Sequence, residues 1–353
     1  MRYNKHLIVL LLLLSLNLSA FAQKSKIKQE ADKKYSIVFY NVENLFDIYD
    51  DPNTYDEEFT PTAPKAWNEQ KYNKKLSNLE EVFYNIAAAN KSFPCIIGVS
   101  EIENRRVLDD LASMPKLLKA NYQIVHYDSP DARGVDVGLF YRPDVFKYEG
   151  SKPIKTKIEG EPKFRTRDIL SVWGTIDGEK FYFFVCHWPS RRGGQYGSEH
   201  LRMGAAKIVR NAVDSIYKAE PKAKIVIMGD MNDDPIDKSL SEVLVAKEKI
   251  QDLRPNDLFN PFYAMLKAGY GSLAYKDSWN LFDNMVVNYN LLNEGALRLS
   301  KDKGAKFYGN IFNRPFLLQQ QGQFKNYPLR TYVGDDFTGG YSDHLPVYLI
   351  ISK

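Results

Sequence analysis

The chain has 353 residues, 44% of them hydrophobic and 13% aromatic, which excludes a disordered polypeptide and provides for a large core. Its formal net charge of +4 permits an anionic partner without demanding one. Two cysteines, Cys95 and Cys186, sit in apolar runs with no metal-binding spacing, so they read as two buried free thiols.

In chain order, "MRYNKHLIVLLLLLSLNLSAFAQ" comes first. Arg2 and Lys5 precede an apolar run that ends in Ala20-Phe21-Ala22. This layout predicts a secretory signal peptide over residues 1–22, with cleavage between Ala22 and Gln23. The run is short for a bilayer span of ~20 residues. An exported protein without a membrane anchor, periplasmic or extracellular, is the expectation. Loss of Arg2 and Lys5, with no acid, lowers the net charge from +4 to +2. Residues 23–34 read as a polar, flexible lead-in.

The remainder, residues 35–353, shows no repeat and no Gly/Pro-rich linker and is expected to form one domain. A β-rich run over 35–42 is followed by an acidic loop over 47–67. Leu76, Leu79, Val82, Phe83 and Ile86 recur at three- and four-residue steps and predict an amphipathic helix over 71–90. A strand is expected at 95–101, then a helix within 105–119 that Pro115 ends or interrupts. "YQIVHY", "VDVGLFY", "DILSVWGTI" and "KFYFFVCHW" read as a series of strands. A long helix over 198–220, with Ser198 as its N-cap, precedes the strand "KIVIM". Residues 235–280 read as loop and short helix, and "LFDNMVVN" and "LPVYLIIS" as closing strands. Helices outside two layers of strands imply an α/β fold, a four-layer α/β/β/α sandwich of two mixed β-sheets.

Polar residues gather where these strands end. Asn41 and Glu43 follow the first strand, Glu101 and Glu103 the second, and Asp230 and Asn232 follow "KIVIMG". Side chains alternate along a strand, so each pair shares a side if the chain stays extended. His187 ends one strand and is followed by the basic loop Ser190-Arg191-Arg192-Gly193-Gly194, while Asp343 and His344 precede another. The chain has five histidines, and two of them fall beside acidic strand ends. An adjacent carboxylate would fix the tautomer of such an imidazole.

"NVEN", "SEIEN", "HWPSRRGG", "GDMNDDP" and "YSDHLPV", in this order, resemble the endonuclease/exonuclease/phosphatase superfamily, which has the fold of pancreatic deoxyribonuclease and includes secreted bacterial-type members. The resemblance covers nearly all of residues 35–353. It implies a hydrolase of phosphoric esters that uses Mg²⁺ or Mn²⁺, with Ca²⁺ a further possibility, because hard cations take oxygen ligands. By the same resemblance Glu101 is the principal metal carboxylate, with Glu43, Asn41 and Asp343 as further ligands. Asp230 orients or deprotonates the attacking water. Asn232, Asn41 and Arg167 contact phosphate. His344 binds a phosphoryl oxygen or acts as acid or base and is held by Asp283. His187 serves the leaving oxygen. Asp136 either supports His187 or is an exposed strand aspartate.

The expected substrate is nucleic acid, DNA or RNA, acted on by a monomer. Small phosphodiesters or phospholipid head groups are the alternative, and a non-catalytic binding module would predict decay of the acid and histidine set. Asp233, Asp234 and Pro235 are expected to turn the chain away from the site.

Overall fold

The computed structural model describes residues 33–302 and 304–353. The expected signal peptide and all but the last two residues of the expected lead-in lie outside them.

Eighteen strands are present among the described residues, and most of the chain's hydrophobic alternation goes into two sheets. The strands are β1 (Lys34–Leu45), β2 (Ile96–Ile102), β3 (Gln123–His126), β4 (Asp136–Tyr141), β5 (Phe146–Ile154), β6 (Ile169–Ile176), β7 (Glu179–His187), β8 (Lys224–Asp230), β9 (Ala246–Lys247), β10 (Leu258–Phe259), β11 (Leu273–Tyr275), β12 (Ser278–Asn280), β13 (Asp283–Asn288), β14 (Arg298–Ser300), β15 (Gly309–Ile311), β16 (Tyr332–Val333), β17 (Asp336–Phe337) and β18 (Val347–Ser352). One sheet has the order β14-β18-β1-β2-β4-β3, with β15 also on β18. The other has the order β5-β6-β7-β8-β13-β10-β9. Each mixes parallel and antiparallel pairs.

Alternation assigns every side chain to a layer. On β1, Ile37 and Phe39 face the second sheet, where they meet Val226 and Met228 of β8 and Phe183 and Val185 of β7. Val38, Tyr40 and Val42 face outward, under the helices α1 (Glu69–Asn90) and α2 (Arg105–Ala112). On β8, Ile225 and Ile227 face outward against Ala205, Val209 and Val213 of α3 (Gln195–Ala219). These three apolar layers make the four-layer sandwich that the pattern predicts. Cys95 lies between the sheets and Cys186 under α3, so both are free and buried in different layers.

Several elements differ from expectation. Gly194, not Ser198, occupies the N-cap position of α3, and the helix starts at Gln195. Ser198 lies inside the first turn, where its hydroxyl donates to the Gly194 carbonyl. The strand β5 lacks an apolar signature because it is a sheet edge, largely exposed and carrying Glu149 and Pro153. The segment 235–280 holds the short strands β9–β12 besides its helical turns.

Register then delivers the chemistry. His187 of β7 pairs with Asp230 of β8, which pairs with Asp283 of β13, so three strand ends of one sheet fall in a row. In the other sheet Asn41 of β1 stands beside Ser100 of β2. The pairing shifts there on both sides of Glu101, which sits in a bulge at φ 61°.

Candidate active site

Asp230 is the hub. Its Oδ2 accepts from Asn41 Nδ2 at 3.0 Å and lies 3.7 Å from both His187 Nε2 and His344 Nε2. Its Oδ1 accepts the backbone N–H of Asn232 at 2.9 Å. That bond closes an Asx turn, with Asn232 at φ 49°, so the chain leaves the extended path at Asp230. Asn41 does the same on β1, where its Oδ1 accepts the N–H of Glu43 at 2.9 Å, and Glu43 and Asn44 take φ 50° and 51°. The expected pairs are therefore joined by turns rather than by strand alternation. Four non-glycine residues with left-handed backbone, Glu43, Asn44, Glu101 and Asn232, cluster at this end of the sandwich.

His344 is held as expected. Its Nδ1 lies 2.7 Å from Asp283 Oδ2, and Asp283 also accepts from Ser272. Burial works against a charge on His344, but the Asp283 and Asp230 carboxylates outweigh it and raise its pKa well above the usual imidazole value. His187 goes the other way: burial, then Arg167 and Arg133, lower its pKa well below the usual value. The two imidazoles beside this carboxylate are thus shifted in opposite directions, His344 toward the charged form and His187 toward the neutral one. Burial also lifts the Asp230 carboxyl, to about 6.

Glu101 presents Oε1 toward His187 Nε2 at 3.8 Å and accepts the Asn44 N–H on Oε2 at 3.1 Å. A carboxylate at this position suits Mg²⁺ or Mn²⁺, hard cations that take oxygen ligands, bind few protein groups and keep several waters. Glu43 is placed differently from expectation. Both its oxygens are taken, by Arg330 Nε at 3.1 Å and by the Thr331 N–H at 2.6 Å. Burial, then the charge of Asp343, push its carboxyl up to about 7. Arg330 also reaches Asp343 Oδ2 at 3.2 Å, so it ties the two acids together. Beneath them the buried Lys75 donates to Thr331 Oγ1 and the Tyr341 carbonyl, both at 2.6 Å. Burial lowers its pKa to about 8.

Three further expectations need correction. Arg167 is buried, with its guanidinium donating to Asp131 at 3.0 Å and to the Trp188 carbonyl at 2.7 Å. Asn232 Nδ2 donates to that same carbonyl at 3.0 Å. Two of the three residues expected to contact phosphate thus converge on the backbone beside His187. Asp136 gives Oδ2 to His126 Nε2 at 3.1 Å and Oδ1 to Ser129, while His187 Nδ1 has no partner among the described residues. The partner of Asp136 is thus His126 rather than His187, because β3 brings that histidine across the ladder from Gly138. Together with Asp128 these two make a group whose ligand atoms lie within 4.8 Å of one another.

The acids after Asn232 are not a solvated turn. Asp233 is buried against Arg202 at 2.7 Å and also takes Arg191 and Ser239. Asp234 accepts Leu281 N–H and Asn280 Nδ2. Arg191, in the basic loop after His187, is committed to Asp233, Asp237 and the Asn232 carbonyl. Arg330 and Lys75 carried no signal in the sequence, since Glu43 and Thr331 lie 287 and 256 residues away from them along the chain.

A profile of the Endonuclease/Exonuclease/phosphatase family matches residues 36–353. No curated protein sequence matches the chain. Among solved structures it is similar to TDP2 from D. rerio complexed with a single-strand DNA product, at 14% identity and TM-score 0.54, covering 91% of this chain and 100% of that one. It is similar to the human Nocturnin catalytic domain with bound sulfate, at 14% identity and TM-score 0.53, covering 92% and 97%. A mannosyl-6-phosphatase from Bacteroides thetaiotaomicron aligns at 13% identity and TM-score 0.52, covering 90% and 99%. With the profile spanning nearly every described residue and these structures sharing its two-sheet fold, the chain belongs to the endonuclease/exonuclease/phosphatase family of phosphoester hydrolases.

Proposed function

We propose that the protein is an exported, metal-dependent phosphodiesterase that hydrolyses nucleic acid by in-line attack of water. One observation carries this reading: Asp230 stands between an Asp283-held His344 and His187, with Glu101 beside them. In-line displacement needs an oriented water, donors for the equatorial oxygens and help for the leaving oxygen.

Asp230 orients the water and accepts its proton, and Asn41 holds the carboxylate in place. His344 donates from Nε2 to a phosphoryl oxygen, since its Nδ1 is fixed on Asp283. His187, kept neutral in the protein interior, faces the leaving-group side. A Mg²⁺ or Mn²⁺ ion at Glu101, with Asn41 and Asp343 in support, supplies Lewis-acid stabilisation of the phosphoryl charge when bound. The shared inter-sheet core supports one catalytic domain over residues 35–353, and residues 1–22 support export by a cleaved signal.

The test is a substrate panel with purified protein. Plasmid DNA and RNA should be degraded with Mg²⁺ or Mn²⁺ and spared with chelator. Asp230→Ala and His344→Ala should each lose turnover while melting close to the parent. Retained activity in both would remove the site assignment. A second reading, hydrolysis of small phosphoesters, is favoured by one observation: Arg191 is bound internally and gives no basic track for a polymer. Cleavage of a sugar phosphate with nucleic acid untouched would decide for it.

A further inference from the structure

Beside the site lies a cavity of 480 Å³, and Arg330 and Asp343 line both. Its size falls within the range of small-molecule sites. One wall is the β11–β12 hairpin. Leu273 pairs with His344 across an antiparallel bridge, and Leu345 N–H donates to the Ser272 carbonyl at 2.8 Å, so the hairpin hangs from the backbone of the site histidine. Tyr275 stands two residues further, about 7 Å along the strand. The opposite wall is the loop that follows Leu318, closed by Gln319 N–H on the Tyr327 carbonyl and Asn326 N–H on the Gln319 carbonyl. Tyr327 joins the walls: its hydroxyl donates to Asp277 Oδ1 at 2.8 Å and accepts the Asp277 N–H at 2.6 Å.

The lining has an unusual composition for an exposed surface. Tyr275 is 63% exposed, and Phe324 and Val333 are 41% exposed. None of the three belongs to an apolar core layer; Phe324 meets Tyr327 with ring centroids 5.6 Å apart, and Lys276 Nζ lies 5.3 Å from the Tyr275 ring centroid. The amides of Gln319 and Gln323 lie among these apolar faces, and the charges of Lys276 and Arg330 are offset by Asp277 and Asp343. Flat aromatic faces with amides between them suit a planar ring bearing hydrogen-bonding edges.

We propose that this cavity receives the unpaired base of the nucleotide carrying the scissile phosphate, which makes single-stranded or frayed nucleic acid the substrate class. A base inside a duplex is stacked and paired, and reaching the cavity would require extruding it. The proposal rests on the nucleic-acid reading above and deepens it.

The experiment is calorimetric titration of the mature protein with adenosine 5′-monophosphate and with ribose 5-phosphate, beside Tyr275→Ala and Phe324→Ala. The expected result is tighter binding of the nucleotide than of the sugar phosphate. Each substitution should weaken nucleotide binding about ten-fold, the scale of one lost stacking face. Ribose 5-phosphate affinity should change little, and single strands should be cut faster than duplex of the same sequence. Equal binding of the two ligands by the parent protein, or unweakened nucleotide binding by both variants, would overturn the cavity assignment even if nucleic acid is cleaved. If the parent binds nucleotide through these rings but cleaves no nucleic acid, the nuclease reading fails and the base site stands.

Discussion

Asn41 and Asp230 end strands in different sheets and meet at 3.0 Å, amide to carboxylate. Asp230 uses its other oxygen, and Asn41 its amide oxygen, to accept a backbone N–H two residues on, so each also turns its own chain. The site is thus built from two copies of one local device, joined by a single hydrogen bond between the sheets.

Breaking that bond should cost turnover more than stability. Asn41→Ala removes the donor that fixes Asp230, and a loss of about 10²-fold in kcat is expected, on the scale of one preorganised donor. Asn41→Asp should be worse, because it sets a second carboxylate against Asp230. Steady-state kinetics at saturating metal, beside a thermal melt, measure both.

Glu101 and Glu43 should separate in a metal titration. Glu101→Gln should raise the Mg²⁺ concentration for half-maximal activity by at least about ten-fold, since it loses the charge that faces the cleft. Glu43→Gln should instead lower stability, by about 1–3 kcal/mol, because it weakens the bonds to Arg330 and Thr331. Activity against metal concentration and denaturant unfolding of both variants would show the split; an identical shift in metal dependence would contradict it.

Arg167→Met should behave as a structural variant. It removes the buried cation that pairs Asp131 Oδ2 and one of the two donors to the Trp188 carbonyl, leaving Arg133 and Asn232 on them, a loss of about 1–3 kcal/mol. The unfolding midpoint in urea should fall by the corresponding amount. A normal midpoint with only a raised KM would return Arg167 to phosphate binding.

Gly229 precedes Asp230, and a methyl group there would strike the Cys186 carbonyl on the neighbouring strand. Backbone cannot yield as a flexible side chain does, so Gly229→Ala should destabilise the protein and displace Asp230 together. Melting temperature and kcat are expected to fall in parallel.

The layers and the site's location were legible because a strand with one residue per face declares itself by alternation, as Ile37 to Val42 do. Asp230, His344 and Glu101 were legible as strand-end polar residues. Their local geometry was not, since alternation ceases where Asp230 and Asn41 bend the chain with their own side chains. Ion pairs such as Arg330 with Glu43 leave no local pattern, because 287 residues separate the partners. Arg167 and Asp233 misled for one reason: a charged residue beside a site motif reads as a ligand-binder or a turn, and only burial reveals a brace.

The apolar layer between the sheets has a temporal consequence. Asn41 and Glu101 arrive on one sheet, and Asp230, His187 and Asp283 on the other, so neither sheet alone carries a working half-site. Catalytic competence appears only when Phe39 and Met228 have come to share one interior. An unfolded chain therefore holds no assembled site. If the chain crosses a membrane unfolded, as the export proposal implies, the cell's own phosphoesters are spared by the order of folding, without an inhibitor.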